Sequence, residues 1–136
     1  MSGNVKKIPD AEIEIMKVIW NNETPISTKK IKEILDKGKE WNLSAIQTLL
    51  SRLVKRGFLS TEKNGKNRYY NFKISEEEYL AMENKSFLKK LNDNSLKKFV
   101  LSLYNSNGVT EKELIEIKEF IEEKVKEEQH DSKHYE

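Results

Sequence analysis

Apolar residues recur at helical spacing along most of the chain and switch to alternation in one stretch. Ile13, Met16 and Trp20 keep a three-to-four-residue interval, and Ile15 and Ile19 widen the stripe. This predicts a first helix from about Asp10, after Pro9, to Trp20. Asn21-Asn22-Glu23-Thr24-Pro25 interrupts it. Ser27 suits the cap of a second helix, with Ile31, Ile34 and Leu35 inward, Lys29, Lys30 and Lys32 outward, and Gly38 at its end. Asn42 can cap a third helix running to Arg56. There Ile46, Leu49, Leu50, Leu53 and Val54 fall at i, i+3, i+4, i+7 and i+8, the strongest amphipathic pattern in the chain. Gly57 stands where a left-handed residue ends a helix.

The period then becomes two. Residues 58–63 and 68–74 read as strands, with Tyr70, Phe72 and Ile74 alternating, and Asn64-Gly65 favours a tight reversal between them. Lys63, Lys66 and Arg68 give this hairpin a basic tip. Helical spacing returns afterwards. Ser75-Glu76-Glu77-Glu78 and Thr110-Glu111-Lys112-Glu113 have the form of capping boxes. Three helices are predicted: Glu76 to about Asn92, about Ser95 to Tyr104, and about Glu111 to Glu128. A disordered tail is expected over residues 129–136. The order is that of a mostly α, α+β chain: a winged helix-turn-helix over residues 1–74, then a three-helix domain over 75–128.

Charge separates the two parts. Residues 1–73 carry 15 Lys and Arg against eight Asp and Glu, a balance of +7, and the remainder carries 10 against 15, a balance of −5. The basic part suits a polyanion, whereas the acidic part would be repelled by it. Hydrophobic residues make up 36% of the chain and charged ones 35%. Three short amphipathic helices enclose too little surface on their own, so Phe87, Leu88, Leu91, Phe99, Leu103, Leu114, Ile117 and Ile121 are expected to pack against a second copy.

Turning the third helix away from its apolar stripe exposes Ser44, Ala45, Gln47, Thr48, Ser51, Arg52 and Lys55. The early positions are small or neutral and allow close approach to base edges. Gln47 can bond adenine in bidentate fashion, and Thr48 offers a hydroxyl and a methyl. Ser44, Ala45, Gln47 and Thr48 are therefore the candidate base readers. Lys29, Lys30, Ser51, Arg52, Lys55, Lys63, Lys66 and Arg68 are the candidates for the DNA backbone. Taken alone, such a face is more often simply solvated; the lysine helix, the basic hairpin and the charge asymmetry together favour DNA. Trp20 and Trp41 read as core, and Tyr69 as facing either solvent or DNA.

Enzymatic chemistry finds little support. The chain has no cysteine, no Gly-rich phosphate loop and no Ser-His-Asp set. His130 and His134 lie four apart in the polar tail, where fraying is a better reading than metal binding. No cofactor and no metal are expected. With no long apolar run and no leader-like segment at Met1 to Asp10, the expectation is a cytoplasmic protein without membrane insertion. A scaffold for protein partners on the same fold is the competing reading.

Over about residues 8–128 the sequence resembles the BlaI/MecI/CopY family of penicillinase-type repressors. The resemblance rests on Ala11-Glu12, Met16, Ile19-Trp20, Trp41, Ile46, Thr48-Leu49, Arg52-Leu53, Lys55, Gly57-Phe58 and Tyr69-Tyr70. Further along it rests on Lys85, Phe87-Leu88, Phe99-Val100-Leu101, Glu113, Leu114 and Ile117. It implies a homodimer whose winged helices bind a palindromic double-stranded operator. It also implies control of β-lactam resistance genes, and release by proteolysis that a membrane sensor metalloprotease carries out or triggers. Two departures are visible. Ser44, Ala45 and Gln47 stand where the family often has basic or hydroxyl residues, and Ser102-Leu103 stands where the family is cut between Asn and Phe. The absence of cysteine excludes the copper-responsive branch.

Overall fold

The computed structural model describes residues 7–134. Its elements are α1 (Asp10–Trp20), β1 (Ile26–Ser27), α2 (Thr28–Leu35), α3 (Leu43–Lys55), β2 (Leu59–Asn64), β3 (Asn67–Phe72), α4 (Glu76–Asn92), α5 (Leu96–Asn105) and α6 (Glu111–His134). This is a winged helix followed by three helices. The chain forms two compact units, the first ending at Lys85 and the second beginning at Ser86.

The first unit is built around α3. Ile46, Leu50 and Leu53 are fully buried against Ile15, Met16 and Ile19 of α1 and Ile31 of α2. Burial of this kind contributes about 1.5–3 kcal/mol per side chain. The end of α3 is a Schellman motif: Phe58 N–H donates to the Leu53 carbonyl at 2.9 Å and Gly57 N–H to that of Val54 at 3.0 Å. The motif requires the positive φ of Gly57, +86°. It turns the chain directly into β2.

The sheet has the order β1-β3-β2, antiparallel throughout. β1 is an addition to the expected hairpin. Ile26 and Ser27 pair with Tyr70 and Tyr69, burying Ile26, while the Ser27 hydroxyl accepts from Lys30 N–H and caps α2. The reversal is displaced by one residue from the expected Asn64-Gly65. Asn64 pairs with Asn67, so Gly65-Lys66 forms the two-residue turn, with Gly65 at φ +66°.

The start of α4 also belongs to the first unit. Tyr79 is buried against Trp20 and Phe58, and its hydroxyl accepts from Ile8 N–H at 2.8 Å. Burial is the larger influence on this phenol and raises it above the usual 10.0. The expected division after residue 74 therefore differs from the observed one. The helix expected from Glu76 is placed by its spacing in the second domain, but its first turns complete the winged-helix core.

Both capping boxes form. Ser75 N–H donates to Glu78 Oε1 and Glu78 N–H to Ser75 Oγ, each at 3.0 Å, and Thr110 and Glu113 repeat the exchange. α6 runs to His134, so the described part of the expected tail is helical. Glu and Lys are good helix formers, and no Gly or Pro follows Gly108 to stop it. In the second unit the Phe87 and Phe99 rings meet edge to face at 5.8 Å. Every buried apolar side chain among the described residues lies between Ile8 and Tyr79, so the second unit has no buried apolar core of its own.

Candidate nucleic-acid interface

α2 and α3 form the helix-turn-helix, and Asp36 fixes the turn between them. One carboxylate oxygen accepts from Lys32 Nζ at 2.6 Å and the other from Trp41 N–H at 2.9 Å. The Lys32 hydrogen bond, then the Trp41 N–H, hold this carboxyl below its usual 3.8. Lys32 is thus engaged within the protein, unlike Lys29 and Lys30. Asn42 then caps α3: its Oδ1 accepts from Ser44 N–H at 2.8 Å, from Ala45 N–H at 3.4 Å and from the Ser44 hydroxyl.

Ser44, Ala45, Gln47, Thr48, Ser51, Arg52 and Lys55 are all exposed on α3. The Thr48 hydroxyl donates to the Ser44 carbonyl at 2.9 Å. Its proton is engaged within the helix, which leaves the oxygen as an acceptor and the methyl as an apolar contact. The α3 tip is therefore neutral and shallow, with Arg52 and Lys55 two to three turns further on. Lys29 and Lys30 are exposed on α2, and Lys63, Lys66 and Arg68 on the wing. None of these seven cations forms an ion pair among the described residues.

The wing shows the same feature more sharply. Lys63 and Arg68 are direct partners across the β2–β3 ladder. Like charges facing one another destabilise a hairpin. A polyanion laid along the wing would offset that repulsion. Tyr69 is half-buried behind this pair, its backbone carbonyl accepting from the Thr61 hydroxyl at 3.0 Å.

Two side chains near the site were not singled out by periodicity. Arg56 follows Lys55 but turns inward, placing Nη1 3.3 Å from Oε2 of the buried Glu12. Leu43, the first residue of α3, is 45% exposed despite its apolar side chain. Arg56 was legible only as one more cation, and Leu43 falls in phase with Ile46 and Leu50, so its spacing alone does not mark it as exposed.

With this geometry in place, comparison with known proteins is decisive. The family model described as penicillinase repressor matches residues 8–123. The chain belongs to the penicillinase repressor family. It is accordingly a DNA-binding transcriptional repressor and not an enzyme. A penicillinase repressor of Bacillus licheniformis is 35% identical over 122 residues, covering 88% of this chain and 94% of that protein. The methicillin resistance regulatory protein MecI of Staphylococcus aureus is 27% identical, covering 91% of this chain and all of that protein. The solution structure of the DNA-binding domain of the repressor BlaI superposes with a TM-score of 0.50 at 39% identity. It covers 56% of this chain and 92% of that domain. No helix among the described residues is long and apolar enough to cross a membrane.

Proposed function

We propose that this member of the penicillinase repressor family acts as a homodimer on a palindromic duplex operator and governs β-lactam resistance genes. The observation that carries the DNA contact is the set of exposed cations, unpaired among the described residues, around the neutral tip of α3. In this reading Ser44, Ala45, Gln47 and Thr48 meet base edges. Lys29, Lys30, Ser51, Arg52, Lys55, Lys63, Lys66 and Arg68 meet phosphates. The relatives named for penicillinase repression and methicillin resistance regulation support the gene class.

The homodimer is supported by the exposure of Leu80, Phe87, Leu91, Leu96, Leu101, Ile117, Phe120 and Ile121. So much exposed apolar surface on α4, α5 and α6 calls for a covering surface. Phe87, Leu88, Leu91, Phe99, Leu103, Leu114, Ile117 and Ile121 are assigned to it. Release is assigned to proteolysis of the Ser102–Leu103 bond by a membrane sensor metalloprotease or a protease it controls. That bond lies inside α5, and the Leu103 carbonyl accepts from Gly108 N–H at 2.7 Å, so cleavage requires local opening of the helix.

The test is binding of the full chain to duplex DNA across a salt series. A dimer on two half-sites neutralises on the order of six or more phosphates, so log K should fall steeply with log salt, with two chains per operator. Weak, salt-insensitive binding would favour a protein-partner scaffold. For release, an undiminished full-length band by immunoblot while the target genes are induced by a β-lactam would reject cleavage.

A further inference from the structure

We propose that Leu43 is a base-reading residue, whose side chain covers the C5-methyl of a thymine in each half-site. The inference rests on the reading of α3 as the recognition helix and adds to it a specificity determinant of this chain.

Position, exposure and surroundings point the same way. Leu43 is the first residue of α3, and side chains on a helix lean toward its N-terminus, so this one projects beyond the first turn. It is the exposed large apolar side chain on α3, where Ile46, Leu50 and Leu53 are fully buried. Ile46 is its i+3 neighbour and Gln47 its i+4 neighbour, so Leu43 stands at the edge between the buried stripe and the exposed face that carries a proposed adenine reader. No charged residue of α3 precedes Arg52.

The chemistry of the tip selects its occupant. The first-turn N–H groups of Ser44 and Ala45 already donate to Asn42 Oδ1, so they are not free to hold a phosphate. An exposed leucine beside them also disfavours a phosphate, which would lose water without gaining a partner. On the major-groove edges of the four bases, the thymine methyl is the apolar group. Covering a methyl with a leucine removes both from water, and its loss should weaken binding about four- to tenfold.

The experiment begins with operator selection from random duplexes by the full-length protein. Each thymine of the selected site is then replaced singly by uracil, which removes a methyl and keeps the pairing. Wild type should lose about four- to tenfold at one thymine per half-site. Leu43→Ala should lose a similar factor on the intact site and nothing more on that uracil site, the non-additivity expected of direct contact. Leu43→Gln, which keeps the size and adds polarity, should no longer prefer thymine there. Uracil penalties identical in wild type and Leu43→Ala, with selective binding intact, would overturn the Leu43 assignment alone. So would an equal loss by Leu43→Ala on operator and random DNA. Recovery of no preferred sequence would instead overturn the reading of α3.

Discussion

Glu12 on α1 is 1% exposed and its Oε2 lies 3.3 Å from Arg56 Nη1 at the end of α3. The other oxygen, Oε1, is buried without a hydrogen-bond partner among the described residues. A charge held this way is stabilised by its single cation and costs heavily if that cation is removed. Arg56→Ala should therefore destabilise the first unit by about 2–3 kcal/mol, toward the low end for a broken buried pair because Arg56 itself is partly exposed. Combining it with Glu12→Met should recover most of the loss, since the apolar replacement leaves no buried charge. Urea midpoints of the four proteins test this; a double variant as unstable as Arg56→Ala would refute it.

Asp36 makes a different prediction, about acid. Its folded value is depressed below 3.8 by Lys32 and then Trp41. Stability from a depressed carboxyl is complete above its unfolded value and is lost as pH falls through the folded one. The link from α2 to α3 should then be constant from about pH 8 to pH 5 and fail only below about pH 3.8. Asp36→Ala should weaken operator binding several-fold at pH 7, while Asp36→Asn, whose amide oxygen can still accept from Trp41 N–H, should weaken it less. Equal effects would show that the Trp41 bond does not position α3.

Gln47 and Lys55 should separate specificity from affinity. Gln47→Ala is expected to cost on the order of 1–3 kcal/mol on the selected operator and little on random duplex. Thr48→Ala should behave alike. Lys55→Ala should weaken both duplexes equally and reduce the salt slope by about one phosphate. A Gln47→Ala loss shared by random DNA would remove Gln47 from the base readers.

The helices after Ser86 should hold the dimer. Leu103→Glu or Ile121→Glu places charge in the proposed apolar contact, so sedimentation should show monomer at micromolar concentration. Operator affinity should drop by about 10²-fold or more, because two linked half-site contacts become one. A variant that remains dimeric would exclude its position from the contact.

Much of this was legible from periodicity. The stripe of α3, its Asn42 cap and the Gly57 stop are local signals, and each appears in the structure where the spacing puts it. What escaped depends on distant partners. β1 is two residues long and exists through pairing with Tyr69 and Tyr70, over 40 positions away. Tyr79 lies in α4, and only Ile8, Trp20 and Phe58, all distant in sequence, draw it into the first unit. Arg52, Lys55 and Arg56 are indistinguishable as cations in the sequence; only Glu12, on another helix, draws Arg56 inward. The candidate interface was named residue by residue because helical rotation alone decides which side chains of α3 face out.

The facing pair Lys63 and Arg68 has a consequence for the free protein as well as for the complex. Two cations at paired strand positions raise the local concentration of small anions, which DNA displaces when it meets the wing. Salt thus acts with opposite signs on the two states, screening the repulsion within the free hairpin while weakening its grip on DNA. The identity of the anion matters as much as the ionic strength. Replacing chloride with a weakly adsorbed anion at constant cation concentration leaves DNA's own counterions unchanged, yet tightens binding by as much as the wing had been holding back.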